Sequence, residues 1–229
     1  IKIQTVNSGI QAAEALNTGG ADVIAAGNGP AVILIAQNKQ IAIVTRYATG
    51  ERMHRLVADT IIHSVTELTG KRIGVQMGTS THAALIAWLD NNHISSDLIT
   101  FVPMELSNMP EAMKNKQLDA LAASEPWPSN VEKLCGQSVH ELSDLYDPRN
   151  THSHVVITTR GFLNEHKHQM YAILKALEKA NDFLTDNPVQ SAEILSKYTG
   201  LPVEKQLVCT ARLTWKLGWE ESDNESLEQ

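Results

Sequence analysis

Leu68-Thr69-Gly70-Lys71-Arg72-Ile73-Gly74-Val75-Gln76-Met77-Gly78-Thr79-Ser80-Thr81-His82 is the stretch whose reading decides the fold. It follows Ser64-Val65-Thr66-Glu67, the spacing of a capping box, and Gly70 stops that turn. Arg72 to Gln76 then reads as a short strand, Met77 to Ser80 as a turn, and Thr81 to Leu89 as a helix. A strand that ends on small residues and opens a helix is the repeating unit of an α/β fold.

The same succession recurs on both sides. Toward the N-terminus, Ile1 to Val6 alternates like a strand, and Ser8 caps a helix with Ile10, Ala13 and Leu16 on one face. Gly19-Gly20 ends that helix. Asp22 to Ala26 is a buried-strand run stopped by Gly27-Asn28-Gly29-Pro30, and Pro30 sits in the first turn of a helix to about Gln37. Ile41 to Val44 and Leu56 to Ala58 read as strands. Toward the C-terminus, Leu98 to Val102, Leu118 to Ala122 and His154 to Thr159 read as strands. Helices open at Pro110 and at Pro126 or Pro128. Beyond His168 only helical periodicity remains, so those helices cover one lobe or brace two. Glu220 to Gln229 is polar and acidic and is expected to fray. The pattern predicts an α/β fold with parallel-rich sheets flanked by helices.

Composition narrows the function. Apolar residues make up 42% of the 229 and aromatic ones only 5%, so the core rests on Ala, Val, Ile and Leu. A net charge of −7 repels phosphate backbones and anionic headgroups, which argues against a nucleic-acid partner. No run of about 18 apolar residues occurs, so no membrane-spanning segment is expected. Cys135 and Cys209 are far apart and lack CxxC spacing, which excludes a cysteine zinc site; two separate buried thiols are favoured over one disulfide.

Several segments resemble one family in register. Glu14-Ala15-Leu16 through Gly19-Gly20-Ala21-Asp22-Val23 is similar to the "ALxxGxxD" start of the nitrate/sulfonate/taurine-type ABC-transporter periplasmic solute-binding proteins. That family also includes binders of thiamine-pyrimidine precursors. Leu68 to Val75 with Gly78 to His82 resembles its "LxGKxIGVxxGSTxH" motif, and Leu118-Asp119-Ala120 with Glu125-Pro126 resembles its "xDAxxxxEP" strand end. Gly161-Phe162-Leu163 and Asn187-Pro188 resemble its late helices. The resemblance implies a type II, two-lobed periplasmic-binding-protein-like fold that closes on ligand about two crossovers. Mapped onto this chain, lobe one is residues 1–62 and 153–229 and lobe two is residues 63–152. The family's N-terminal strand and helix, ahead of the segment matching Ile1 to Val6, are missing from this sequence. The implied partners are a small-molecule ligand and an ABC permease, and the implied location is periplasmic or extracellular, with lipid anchoring open.

Ligand-contacting candidates follow from chemistry and from the resemblance together. The turn Gly78-Thr79-Ser80-Thr81-His82 leaves unpaired peptide N–H groups at a helix N-terminus, a setting that favours an anion or a polar oxygen; an ordinary N-cap is the alternative. His82 sits in the first helical turn, where a neutral imidazole is expected; it either donates to ligand or covers the helix end. Gly27, Asn28 and Gly29 form a second strand-to-helix turn that either faces the cleft or needs glycine for positive φ. Glu125 and Trp127 follow a strand at its carboxyl end, where open α/β sheets hold ligands. Glu125 suits an amine-bearing ligand and Trp127 a flat or aliphatic one, or both serve the helix start. Arg46, Arg52, His54 and Arg55 cluster near the first crossover; one of them neutralises an anion or they are exposed loop cations. His152 with His154, and His166 with His168, have His-x-His spacing but no third ligand in view, so no metal site is assigned.

Catalysis has no visible motif: nucleophile elbow, HExxH, P-loop and GxGxxG are all absent, and no cofactor is assigned. The expected role is capture of a sulfonate, taurine, nitrate or pyrimidine-precursor class molecule by hinge closure. The alternatives are a sensory ligand-binding domain, or an enzyme of menaquinone or thiamine-pyrimidine metabolism on the same fold. The thiamine-pyrimidine synthases similar to this family carry a cysteine-rich motif that two isolated cysteines cannot supply.

Overall fold

The computed structural model describes residues 1–50, 52–147, 152–221 and 223. Two sheets organise it. The smaller has the order β1 (Val23–Gly27), β8 (Ser153–Thr159), β2 (Ile41–Thr49). The larger has the order β5 (Thr100–Pro103), β4 (Arg72–Val75), β6 (Ala120–Ser124), β3 (His54–Asp59), β7 (Val139–Ser143).

The sheets, expected to be parallel-rich, are mixed: parallel pairing joins β4 with β5 and β4 with β6, and every pair in the small sheet is antiparallel. Connectivity explains this. α2 (Asn28–Gln37) carries the chain from β1 to β2, but the chain returns only after building the larger sheet. It enters from the opposite end, so β8 slots between β1 and β2 with reversed direction.

Both faces of the large sheet are covered. Alternation along β3 and β6 sends Leu56, Ala58, Ala120 and Ala122 toward α3 (Ser80–Asn91), and Val57, Leu121 and Ala123 toward α4 (Met109–Lys114) and α5 (Trp127–Cys135). One face of the small sheet packs Val155 and Ile157 against Ala12 and Leu16 of α1 (Gly9–Asn17) and Leu34 of α2. The C-terminal helices brace rather than cover. Asn181 of α7 (Lys167–Asp186) donates to the Tyr47 carbonyl at 2.7 Å, while Cys209 of α9 (Val203–Ala211) meets Ser129 of α5 at 3.2 Å.

Two expectations need correction. Ile1 to Val6 forms no strand; Ile1 is 94% and Ile3 86% exposed, because no neighbouring strand takes up the backbone hydrogen bonds that alternation alone cannot supply. Leu56 to Ala58 is the interior of β3 in the large sheet. Of the acidic end expected to fray, Glu220 and Asp223 both pair with Arg46; residues 222 and 224–229 lie outside the described residues. β7, not foreseen, is a short mixed-polarity strand at the sheet edge.

Candidate functional site

The carboxyl ends of the parallel strands β4, β5 and β6 all face one edge of the large sheet, the side on which α/β sheets hold ligands. Gln76 to Ser80 leaves β4 there, Met104 and Glu105 leave β5, and Glu125 to Trp127 leave β6.

The β4 turn is built as its residue types require. Gly78 takes φ +75, in the left-handed region that favours glycine. Thr79 is the N-cap of α3: its Oγ1 accepts from His82 N at 3.2 Å and donates to the Gln76 carbonyl at 2.7 Å. Against this turn lies the start of α2, which comes from the small sheet. Ser80 Oγ donates to Asn28 Oδ1 at 2.8 Å and accepts from Gly29 N at 3.1 Å. Neither Gly27 nor Gly29 has positive φ; glycine is needed because a Cβ on Gly29 would lie 2.7 Å from Ser80 N, and one on Gly27 would lie 2.7 Å from Ser80 Oγ. Two helix N-termini therefore meet tip to tip across the two sheets, with Asn28 and Ser80 buried between them.

A third N-terminus joins the same seam. Ser8, the N-cap of α1, accepts from Gln11 N at 3.3 Å and from Gln76 Nε2 at 3.4 Å. Gln76 Nε2 also donates to Glu105 Oε2 at 3.0 Å, while its buried Oε1 has no partner. Three positive dipole ends thus converge on a seam whose acceptors are Gln76, Glu105 and Asn28. Residue-by-residue reading missed Gln76 and Glu105, although both stand where strands end; the strand-end rule applied to every strand, not only β6, would have found them.

The remaining candidates sit elsewhere. Thr81 turns inward, its Oγ1 2.8 Å from His54 Nδ1. The His82 ring packs edge-on to Phe101, centroids 6.1 Å apart, and burial pushes its pKa below the usual imidazole value, which keeps it neutral as expected. Glu125 is fully committed. Its side chain is 3% exposed and accepts from Arg55 Nη1 at 2.8 Å and from Ser129 N at 3.3 Å. Burial disfavours the Arg55 charge, but a hydrogen bond to Glu132 and the carboxylates of Glu125, Glu132 and Glu141 more than offset it, and its pKa rises. Trp127 packs into the core beside Val131 and Leu121. No described contact brings Glu125 or Trp127 to the seam.

Arg46 and Arg55 are buried, not exposed loop cations, while Arg52 is exposed and pairs with Asp144. Cys135 and Cys209 are both free thiols, as expected, and burial pushes Cys209 up to about 12. Among the described residues no group of His, Cys, Asp and Glu has the geometry of a metal site, and no helix is long and apolar enough to cross a membrane. A surface groove of about 350 Å³ runs between α1 and α2, lined by Ala13, Pro30, Ile33, Met77 and Gly78 among others, so it abuts the β4 turn.

Known proteins agree with this architecture. A protein of Brucella abortus (strain 2308) named as a binding protein is 27% identical over 178 residues, 77% of this chain and 55% of its own length. One of Brachyspira hyodysenteriae, named as an ABC transporter periplasmic binding protein, is 30% identical over 58% of this chain and 38% of its own. The chain thus spans about half or less of the curated relatives it matches. Among solved structures, the alkanesulfonate-binding protein SsuA of Xanthomonas axonopodis pv. citri bound to MOPS superposes with a TM-score of 0.81 at 22% identity, covering 95% of this chain and 75% of that one. SsuA of Escherichia coli gives 0.79 at 20%, with the same coverage. A zinc-bound ligand-binding component of an ABC-type import system from Staphylococcus aureus gives 0.83 at 16%, covering 98% and 78%. The fold is that of the periplasmic binding proteins. The family model described as NMT1/THI5 like matches residues 1–191, and the chain belongs to the NMT1/THI5-like family.

Proposed function

We propose that this chain is the capturing part of an ABC importer, holding a small anionic or polar organic molecule between two hinged lobes outside the cytoplasmic membrane. One observation carries the reading. The starts of α2 and α3, each from a different sheet, touch through Asn28, Gly29 and Ser80, so the N-terminal ends of helices from both sheets meet at one seam. A ligand that spans this seam gains contacts to both halves only when they are together, which is how a closed state is stabilised. In this reading the lobes divide by sheet: β1, β2 and β8 with α1 and α2 form one, β3 to β7 with α3 to α5 the other. The chain crosses between them before His54 and again before Ser153.

The named sulfonate-binding neighbours make sulfonates the first compounds to try, followed by taurine, nitrate and pyrimidines. Ligand at 100 times Kd adds about 2.7 kcal/mol of stability, a readily measured rise in melting temperature. The expected result is a saturable rise with one class, recovered chemically unchanged. Recovery of a converted product would replace capture with catalysis; no rise with any class at pH 7.5 would remove the reading.

A further inference from the structure

We propose that the junction between the two sheets is a proton-operated hinge, held shut by a buried cluster of neutral imidazoles and loosened in mild acid. The cluster lies where the chain crosses between sheets in both directions. The two crossings run side by side: Gly50 N donates to the His152 carbonyl at 2.9 Å, Thr49 pairs with Ser153, and Arg52 bridges to Asp144 at 2.6 Å. His54 begins β3, His152 precedes β8, and His154 is its second residue.

Two of the rings face each other and the third packs beside them against Tyr47. His54 and His152 meet edge-on with centroids 4.4 Å apart, and His154 stands edge-on to Tyr47 at 5.8 Å with its Nε2 against Met53 Sδ. His54 Nε2 is buried and has no partner. Among the described residues, Tyr47 from β2 is neutral, its phenol pushed up to about 12 by burial. Thr81 from α3 carries no charge. Asp147 favours a proton on His152, but burial outweighs it. Burial brings His152 and His154 down to about 4, and burial with the two neighbouring rings takes His54 well below 6.5.

The sign follows. Above the ordinary imidazole value of 6.5, packed and hydrated rings are alike neutral and the junction keeps its full strength. As pH falls from there toward about 4, hydrated rings take up protons that packed rings refuse, so each step of acidification favours the loosened junction. His54 is bonded to Thr81 in the first turn of α3, so loosening reaches the seam. That last link rests on the proposed capture site; the hinge itself does not.

Amide exchange on the ligand-free chain, normalised for intrinsic pH dependence, tests it between pH 7.5 and 4.5. Exchange in segments 52–56, 79–83 and 152–156 is expected to rise by about tenfold or more relative to β5, since one unit of pKa difference is a factor of ten. The variant carrying His152→Gln and His154→Gln is expected to lose most of that rise. A uniform rise across the molecule, or none, overturns the hinge. If the variant does not fold, ring titration of the wild type by NMR decides. His152 and His154 titrating near 4 and His54 below its ordinary value, together with the local rise, support the proposal; a ring of the cluster titrating near its ordinary value overturns it. No ligand enters this experiment, so its failure leaves capture untouched, and failure of the compound panel at pH 7.5 leaves the hinge untouched.

Discussion

Two loops leave the same edge of the same sheet, and they do opposite things. After β4, Gln76 to Ser80 presents uncharged polar groups and the start of α3 to a facing helix from the other sheet. After β6, Glu125 and Trp127 occupy the equivalent position, yet the carboxylate is held by Arg55 and the indole by the core. Position at a strand's carboxyl end is therefore necessary for a binding role and not sufficient. What separates the loops is whether their polar atoms already have partners. The Glu125 carboxylate accepts from both Arg55 and Ser129, whereas Gln76 keeps a buried oxygen unpaired.

The largest effect should come from the Glu125 side. Arg55→Met leaves Glu125 buried without its main cation, which should cost about 3–5 kcal/mol in urea unfolding. The folded fraction should bind its ligand as before; a parallel loss of affinity would break the contrast between the loops. Gly29→Ala should show the reverse balance. Its added methyl meets Ser80 N and the Thr79 carbonyl carbon, backbone that cannot swing aside, and overpacking of this kind costs about 1–3 kcal/mol. It should part the lobes, visible as a larger radius of gyration in solution scattering and a steep loss of affinity. Ser80→Ala should be mildest, about 1 kcal/mol, because Asn28 Oδ1 still accepts from Gly29 N. If unfolding measurements find it as costly as Gly29→Ala, the hydroxyl rather than the close fit holds the seam together.

Much of the element order was legible because it depends on local rules. The Ser64–Glu67 capping box, the left-handed Gly78, the Thr79 turn and Pro110 at the head of α4 all act within one turn of the chain. The strands β1, β3 and β6 were legible as apolar runs, yet their membership was not: nothing local in Leu56 to Ala58 states which sheet it joins. Gly27-Asn28-Gly29 was recognised as a turn, but the positive φ offered as one reason for its glycines is absent, and both lie close against Ser80. Arg55 and Glu125, each read alone, looked like free charges, because their partners are 70 residues apart.

By itself the sequence determined the alternation of strand and helix, the placement of small polar residues at helix starts, the acidic balance and the lack of a CxxC pair. Those properties are set by neighbours a few bonds away or by simple counts. Only the tertiary structure decided that β8 runs antiparallel between β1 and β2, that Glu125 is neutralised, that Gln76 and Glu105 share the seam, and that three histidines meet at the crossings. Each of these depends on groups far apart in sequence whose approach is fixed by packing both sheets at once, a constraint that no window along the chain contains.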